Sequence, residues 1–95
     1  MSICDAINSR RILEFDYDGH RRVIHPAAAG PHATTGNPVL RGYQVDGTSS
    51  SGVVPDWRLF EIDKIQNLVV LGETFDTDPP GYQKGDKHIA VECEL

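Results

Sequence analysis

Leu13, Phe15 and Tyr17 alternate with Glu14 and Asp16, and Asp18-Gly19 follows without a gap. A period of two puts the three apolar side chains on one face of a strand and the two carboxylates on the other. Asp-Gly directly after such a run signals a two-residue hairpin turn, because both central residues of that turn take positive φ. His20 to Ile24 then reads as the returning strand, ended or bent by Pro26, which has no N–H to give to a ladder. This hairpin commits the chain to antiparallel β-structure, and the remaining segments must cover its apolar face.

In front of the hairpin, residues 2–11 read as a short helix. Ser2 and Asp5 stand in the spacing of a capping box, Ile3, Ala6 and Ile7 share a face, and Arg10 and Arg11 fall in the expected last turn. Behind it, the glycines, prolines and threonines of Ala27 to Pro38 read as a long irregular connection. Val39 to Asp46 is the third strand, Gly47 to Gly52 a flexible loop, and Asp56 to Ile62 the fourth strand. Asp63 to Ile65 makes a tight turn or a single helical turn, and Leu68 to Leu71 a buried fifth strand. Pro79-Pro80-Gly81 breaks the chain, after which Ile89, Val91, Cys93 and Leu95 alternate with polar or small residues. That last strand is expected to pair, with its own sheet or with a second copy, and Ile89–Leu95 is thus a candidate homodimer contact. Strands this short, joined by hairpins, close most economically as a small barrel: mainly β, about five antiparallel strands, an N-terminal helix and an extra C-terminal strand.

The chain has 95 residues, enough for one domain. No apolar run is long enough to span a bilayer and no basic-then-apolar start marks a secretory signal, so cytoplasmic residence without a membrane is the expectation. Cys4 and Cys93 belong to no CxxC or Cys/His cluster. Free or buried thiols are therefore the first expectation, and a disulfide joining the chain ends the alternative. The formal net charge of −5 argues against broad, non-specific nucleic-acid binding. The charge is uneven, however. Up to Gly72 seven basic residues stand against eight acidic ones, whereas the remainder has two against six.

Strand parity singles out the arginines. Arg41 shares a face with Val39, Tyr43 and Val45, and Arg58 with Phe60 and Ile62. If those apolar faces look inward, each strand carries a guanidinium into the interior or to its rim, where it needs an acidic partner or an anionic ligand. An arginine beside an aromatic ring suits phosphate, carboxylate or nucleobase recognition. Arg21 and His25 share one face of the second strand and Arg22 takes the other. Solvated pairing with Glu14 and Asp16 across the hairpin is the alternative use of this cluster. The four histidines lack metal-ligand spacing, Ser49 to Ser51 have no nucleophile setting, and no glycine-rich phosphate loop occurs. Neither an enzyme nor a cofactor is expected.

Taken in order, Ile7 with Arg10-Arg11, Leu13 to Tyr17, Arg22 to Pro26, Leu40 and Tyr43, and Arg58 to Ile65 resemble the WYL domain over roughly residues 3–75. Pro38-Val39-Leu40 stands where that family has its namesake tripeptide, so only the leucine is kept. Residues 1–75 are then a WYL-like domain, and 76–95 an acidic extension carrying a strand within the same unit. The resemblance implies an Sm-like or SH3-like barrel of bacterial transcription regulators or phage-defence systems that senses nucleotide-like or nucleic-acid ligands through a basic pocket. The expected function is binding of an anionic small molecule or single-stranded nucleic acid by Arg58 and Arg22, with Arg41 and His25 supporting and Tyr43 offering a stacking surface. The alternative is a structural, homodimerising protein.

Overall fold

The computed structural model describes residues 2–48 and 54–95. Most of the expected serine-glycine loop, Ser49 to Gly52, lies outside the described residues. Among the described residues the chain forms one short helix and a six-stranded antiparallel sheet. The elements are α1 (Ile3–Asn8), β1 (Arg11–Tyr17), β2 (His20–Pro31), β3 (Pro38–Gly47), β4 (Asp56–Glu61), a 3-10 turn (Ile62–Lys64), β5 (Gln66–Thr74) and β6 (Cys93–Glu94). The strand order is β4-β3-β2-β1-β5, with β6 on β2. β4 and β5 are the two ends of that order, and no ladder closes them on each other among the described residues.

α1 starts as its sequence dictates. The Ser2 hydroxyl accepts from the Asp5 N–H and the Asp5 carboxylate accepts from the Ser2 N–H, so two otherwise orphaned donors are satisfied reciprocally. The helix stops at Asn8, earlier than the expected end at residue 11. Arg10 takes a left-handed conformation with φ 54°, which turns the chain into β1. Arg10 and Arg11 therefore do not complement the helix dipole. Arg11 opens β1 instead, and its Nε donates to the Leu71 carbonyl of β5 at 2.8 Å.

The first hairpin forms in the expected register, Leu13 opposite Ile24 and Tyr17 opposite His20. Asp18 and Gly19 both have positive φ, 51° and 75°. Pro26, however, does not end β2. The strand runs on to Pro31, with a register shift against β3 between Pro26 and Ala28. Pro26 still stands opposite Gly42, the extra residue of the bulge is Ala27, and a proline is tolerated beside such a bulge because the ladder is already interrupted there. The small residues of Ala27 to Gly30 are buried, because this half of β2 is covered on both faces. A Cβ on Gly30 would collide with the Ala90 carbonyl. The composition that resembled a loop is the composition of close approach.

The inner face of the sheet holds the main core: Leu13 and Phe15 from β1, Ile24 from β2, Leu40 from β3 and Phe60 from β4, capped by Ala6 and Ile7 of α1. On β3 the inward residues are Leu40, Gly42 and Gln44. Parity rightly groups Arg41 with Val39, Tyr43 and Val45, but that set lies on the outer face. Arg41 is thus not an interior guanidinium of the main core. Both faces of β3 are apolar because both are covered, and alternation alone does not say which covering is the core. The outer covering is the C-terminal segment, where Ile89 and Val91 pack on Ala28, Val39 and Leu59 in a second cluster.

That segment pairs with its own sheet. Ala33 donates to the His88 carbonyl, while Ala90, Glu92 and Leu95 donate to carbonyls of Pro31, Ala29 and Ala27. Regular strand is limited to Cys93–Glu94. Cys93 is disulfide-bonded to Cys4, which fastens α1 to β6. The expectation of free thiols is corrected. Two cysteines at opposite chain ends carry no spacing signal, and only the meeting of α1 with the returning tail brings their Cα atoms to 5.6 Å.

β5 departs from expectation as well. As an edge strand it leaves Leu68 39% and Val69 48% exposed, so its apolar run is not a buried strand. Val70 alone of that central run is packed against the main core.

Candidate functional site

The five residues expected to bind ligand divide between the two faces of the sheet. Arg22 and Arg58 lie on the inner side, beyond the edge of the main core. Arg41, Tyr43 and His25 lie on the outer side. Register explains the division: Gly42 pairs with Arg58 and Tyr43 with Trp57, so consecutive residues of β4 address opposite faces.

Arg22 is 4% exposed. Its guanidinium carbon sits 5.7 Å from the ring centroids of both Tyr17 and Phe60. Both distances are within cation–π range. One terminal nitrogen donates to the Gln44 side-chain carbonyl and the other to the Tyr17 backbone carbonyl, each at 3.2 Å. Gln44 is itself fully buried and gives its amide protons to the carbonyls of Asp46 and Thr48. The Arg22 Nε is buried and has no acceptor. Among the described residues no carboxylate stands within ion-pair distance of Arg22. Burial lowers its pKa from the ordinary value, and the neighbouring charge of Arg58 lowers it further. Arg58, on β4, has an 18% exposed side chain with the half-exposed Asp56 carboxylate 3.8 Å away, so solvent reaches Arg58 while Arg22 stays buried.

The outer face is organised differently. His25, Tyr43 and Trp57 form one cross-strand row on β2, β3 and β4. His25 stacks on Phe75 at 4.5 Å with planes 9° apart. Tyr43 meets Trp57 edge-on at 5.3 Å. Arg41 is neutralised by Asp86, Nε to Oδ2 at 2.7 Å, and Arg10 pairs with Asp78 at 2.5 Å. The acidic tail thus supplies partners for arginines of the body. Arg21 pairs with Glu14 at 2.5 Å across the first hairpin, the solvated use open to that cluster.

Burial pushes the His25 imidazole below its ordinary 6.5. A depressed histidine contributes stability in full above the unfolded value, and loses it as pH falls from there toward the folded pKa. Stability measured by urea titration is therefore expected to decline as pH drops below about 6.5, and His25→Gln to flatten that decline. An unchanged slope in the variant would exclude His25 as its source.

Sequence reading missed Gln44, whose amide holds Arg22, and the outer-face rings Trp57 and Tyr82. The first has no signal in one sequence, since a glutamine in an alternating strand reads as solvent-facing. Trp57 is the single tryptophan of the chain and was available to inspection, but its cross-strand neighbour Tyr43 is known only from the β3–β4 register. Compared with known proteins, the chain matches no family model, no curated protein and no solved structure.

Proposed function

We propose that the chain is a small binding module for an anionic ligand, a nucleotide or a length of single-stranded nucleic acid, held at the Arg22–Arg58 pair, and that it is not an enzyme. One observation carries this reading: Arg22 is a buried guanidinium set between two rings, with no carboxylate within ion-pair distance among the described residues and Asp18 acting on it only from further off. A buried charge of this kind is costly unless an anion compensates it. A phosphate arriving from the Arg58 side would find a second guanidinium, in competition with the Asp56 carboxylate for Arg58. The order β4-β3-β2-β1-β5, with a 3-10 turn between β4 and β5, supports reading the sheet as an opened barrel of the Sm or SH3 kind. The WYL resemblance, which implies that fold, rests on the residues alone.

Binding of a labelled oligothymidylate is expected to weaken steeply with salt, because each neutralised phosphate releases counterions. Arg58→Ala should reduce affinity about tenfold or more, the loss that accompanies a charge-assisted hydrogen bond. An Arg58→Ala protein that binds as well as the wild type removes this assignment.

A second reading is a self-associating structural protein. The exposure of Leu68 and Val69 on the edge strand β5 favours it. Ile89–Leu95, the contact first expected, already uses its backbone on β2 of the same chain. Sedimentation of the intact chain separates the two readings.

A further inference from the structure

Between the outer face of β3–β4 and residues 81–88 of the C-terminal segment lies a groove of about 340 Å³. That volume is at the lower end of ligand pockets, suited to one small molecule rather than to a run of polymer. One wall is aromatic. Trp57 and Tyr82 face each other with ring centroids 6.3 Å apart and planes 28° apart. Trp57 is fixed in place, since its indole N–H donates to the Pro80 carbonyl at 2.7 Å and Tyr43 packs on it from the side. Its polar handle is thereby used within the chain, and what Trp57 offers the groove is its π surface. The Tyr82 hydroxyl is likewise engaged, donating to the Leu95 carbonyl at 3.2 Å.

The groove is also lined by two permanent cations, Arg41 and Lys87, by the His88 imidazole, and by Asp86 as the acid among them. Asp86 is fully occupied: Oδ2 accepts from Arg41 Nε at 2.7 Å and Oδ1 from the His88 backbone N–H at 2.9 Å. Burial acts to raise the Asp86 carboxyl, but the bonds and charges of Arg41 and His88 outweigh it, so the group is held below its ordinary value and stays ionised. The Arg41 fork is thereby oriented through Nε alone. Its terminal nitrogens make no hydrogen bond among the described residues, and a planar guanidinium presents four further N–H donors there. Among the lining side chains Arg41 and Lys87 outnumber Asp86, while at the groove's edge the Glu94 carboxylate is held by the Gly85 backbone N–H at 3.0 Å.

We propose that this groove is a second binding site, independent of the Arg22–Arg58 pair, for a single planar aromatic molecule bearing an anionic group. The ring packs against Trp57 and Tyr82, and the anion meets Arg41 and Lys87. Stacking accepts many ring systems, so the shared chemistry is ring plus anion, and two sources satisfy it: a nucleoside monophosphate or an aromatic carboxylate.

Trp57, as the single tryptophan, makes its own fluorescence the reporter of the groove. Adenosine monophosphate and indole-3-propionate are titrated into the intact protein, with adenosine and inorganic phosphate as probes that each lack one half of the chemistry. At least one aromatic anion is expected to change Trp57 emission saturably, and whichever binds more tightly identifies the source. Adenosine and phosphate should each bind at least about tenfold more weakly, the loss of one charge-assisted contact or one stacked ring. Lys87→Gln and Arg41→Gln should each weaken the aromatic anion several-fold. Lys87 is exposed and its replacement leaves the fold intact, so a folding failure of Arg41→Gln does not leave the question open. Arg58→Ala should leave this titration unchanged while it weakens oligonucleotide binding about tenfold or more, which separates failure here from failure of the first site. No saturable change with either anion, adenosine binding as tightly as its monophosphate, or a titration lost in Arg58→Ala but kept in Lys87→Gln would each overturn the proposal.

Discussion

Replacing both Cys4 and Cys93 by serine is expected to lower the stability of the chain by about 4–5 kcal/mol. The bond spans a sequence separation of 89, nearly the whole chain. In the chain-entropy account its contribution grows with the logarithm of the closed loop, so a bond between the ends comes close to the greatest value available to a domain of this length. Domains of this size are stable by only about 5–15 kcal/mol, so the loss is a large fraction of the total. It should appear as a fall in Tm of roughly 15 °C or more. The denaturant slope should rise at the same time, because an uncrosslinked unfolded chain exposes more surface. A fall below about 1 kcal/mol would show that native geometry offsets the crosslink. In a reducing cytoplasm the two residues would be thiols and the domain would have to stand without this contribution, whereas an oxidising compartment would preserve it.

How much of this was legible in the sequence depends on whether the cause is local. The β1–β2 hairpin and the capping box were readable because a period of two, an Asp-Gly turn and a Ser-x-x-Asp spacing act over a few residues. The extent of β2 was not. Pro26 signals a break, and only the bulge against β3, together with a tail that covers Ala27 to Gly30, turns the break into an irregularity within a strand. The arginines show the same boundary. Parity correctly grouped Arg41 with Tyr43 and Arg58 with Phe60, but which group faces the core depends on two coverings that come from distant parts of the chain. Charge was legible as a sum and not as a pattern. The acidic extension shows its excess of carboxylates in the sequence but not their partners, and Asp78 and Asp86 reach back to Arg10 and Arg41. The Cys4–Cys93 bond and the Trp57–Tyr82 wall depend on the same return of the tail.

Phe60→Ala is expected to cost about 3–5 kcal/mol, since it empties a fully buried aromatic site. Phe60 is 1% exposed and meets Phe15 and Tyr17 edge-on, both at 5.0 Å between centroids. Removing it leaves those two rings without their common partner and takes one of the two aromatic faces from Arg22. Phe60→Leu separates these losses. Leucine restores most of the buried apolar volume, so the cost in stability should fall to about 1.5 kcal/mol or less, the range of volume-conserving swaps. It cannot restore the π surface, so the guanidinium of Arg22 is left with Tyr17 alone and with the same carbonyl acceptors. If ring packing positions Arg22 for an anion, Phe60→Leu should bind the oligothymidylate several-fold more weakly than the wild type, although it stays folded at a cost of about 1.5 kcal/mol or less. Equal affinity in Phe60→Leu and wild type would mean that Arg22 is held by Gln44 and Tyr17 without help from the ring. The contribution of Phe60 would then be to the core alone, and chemical denaturation together with the binding titration decides between the two.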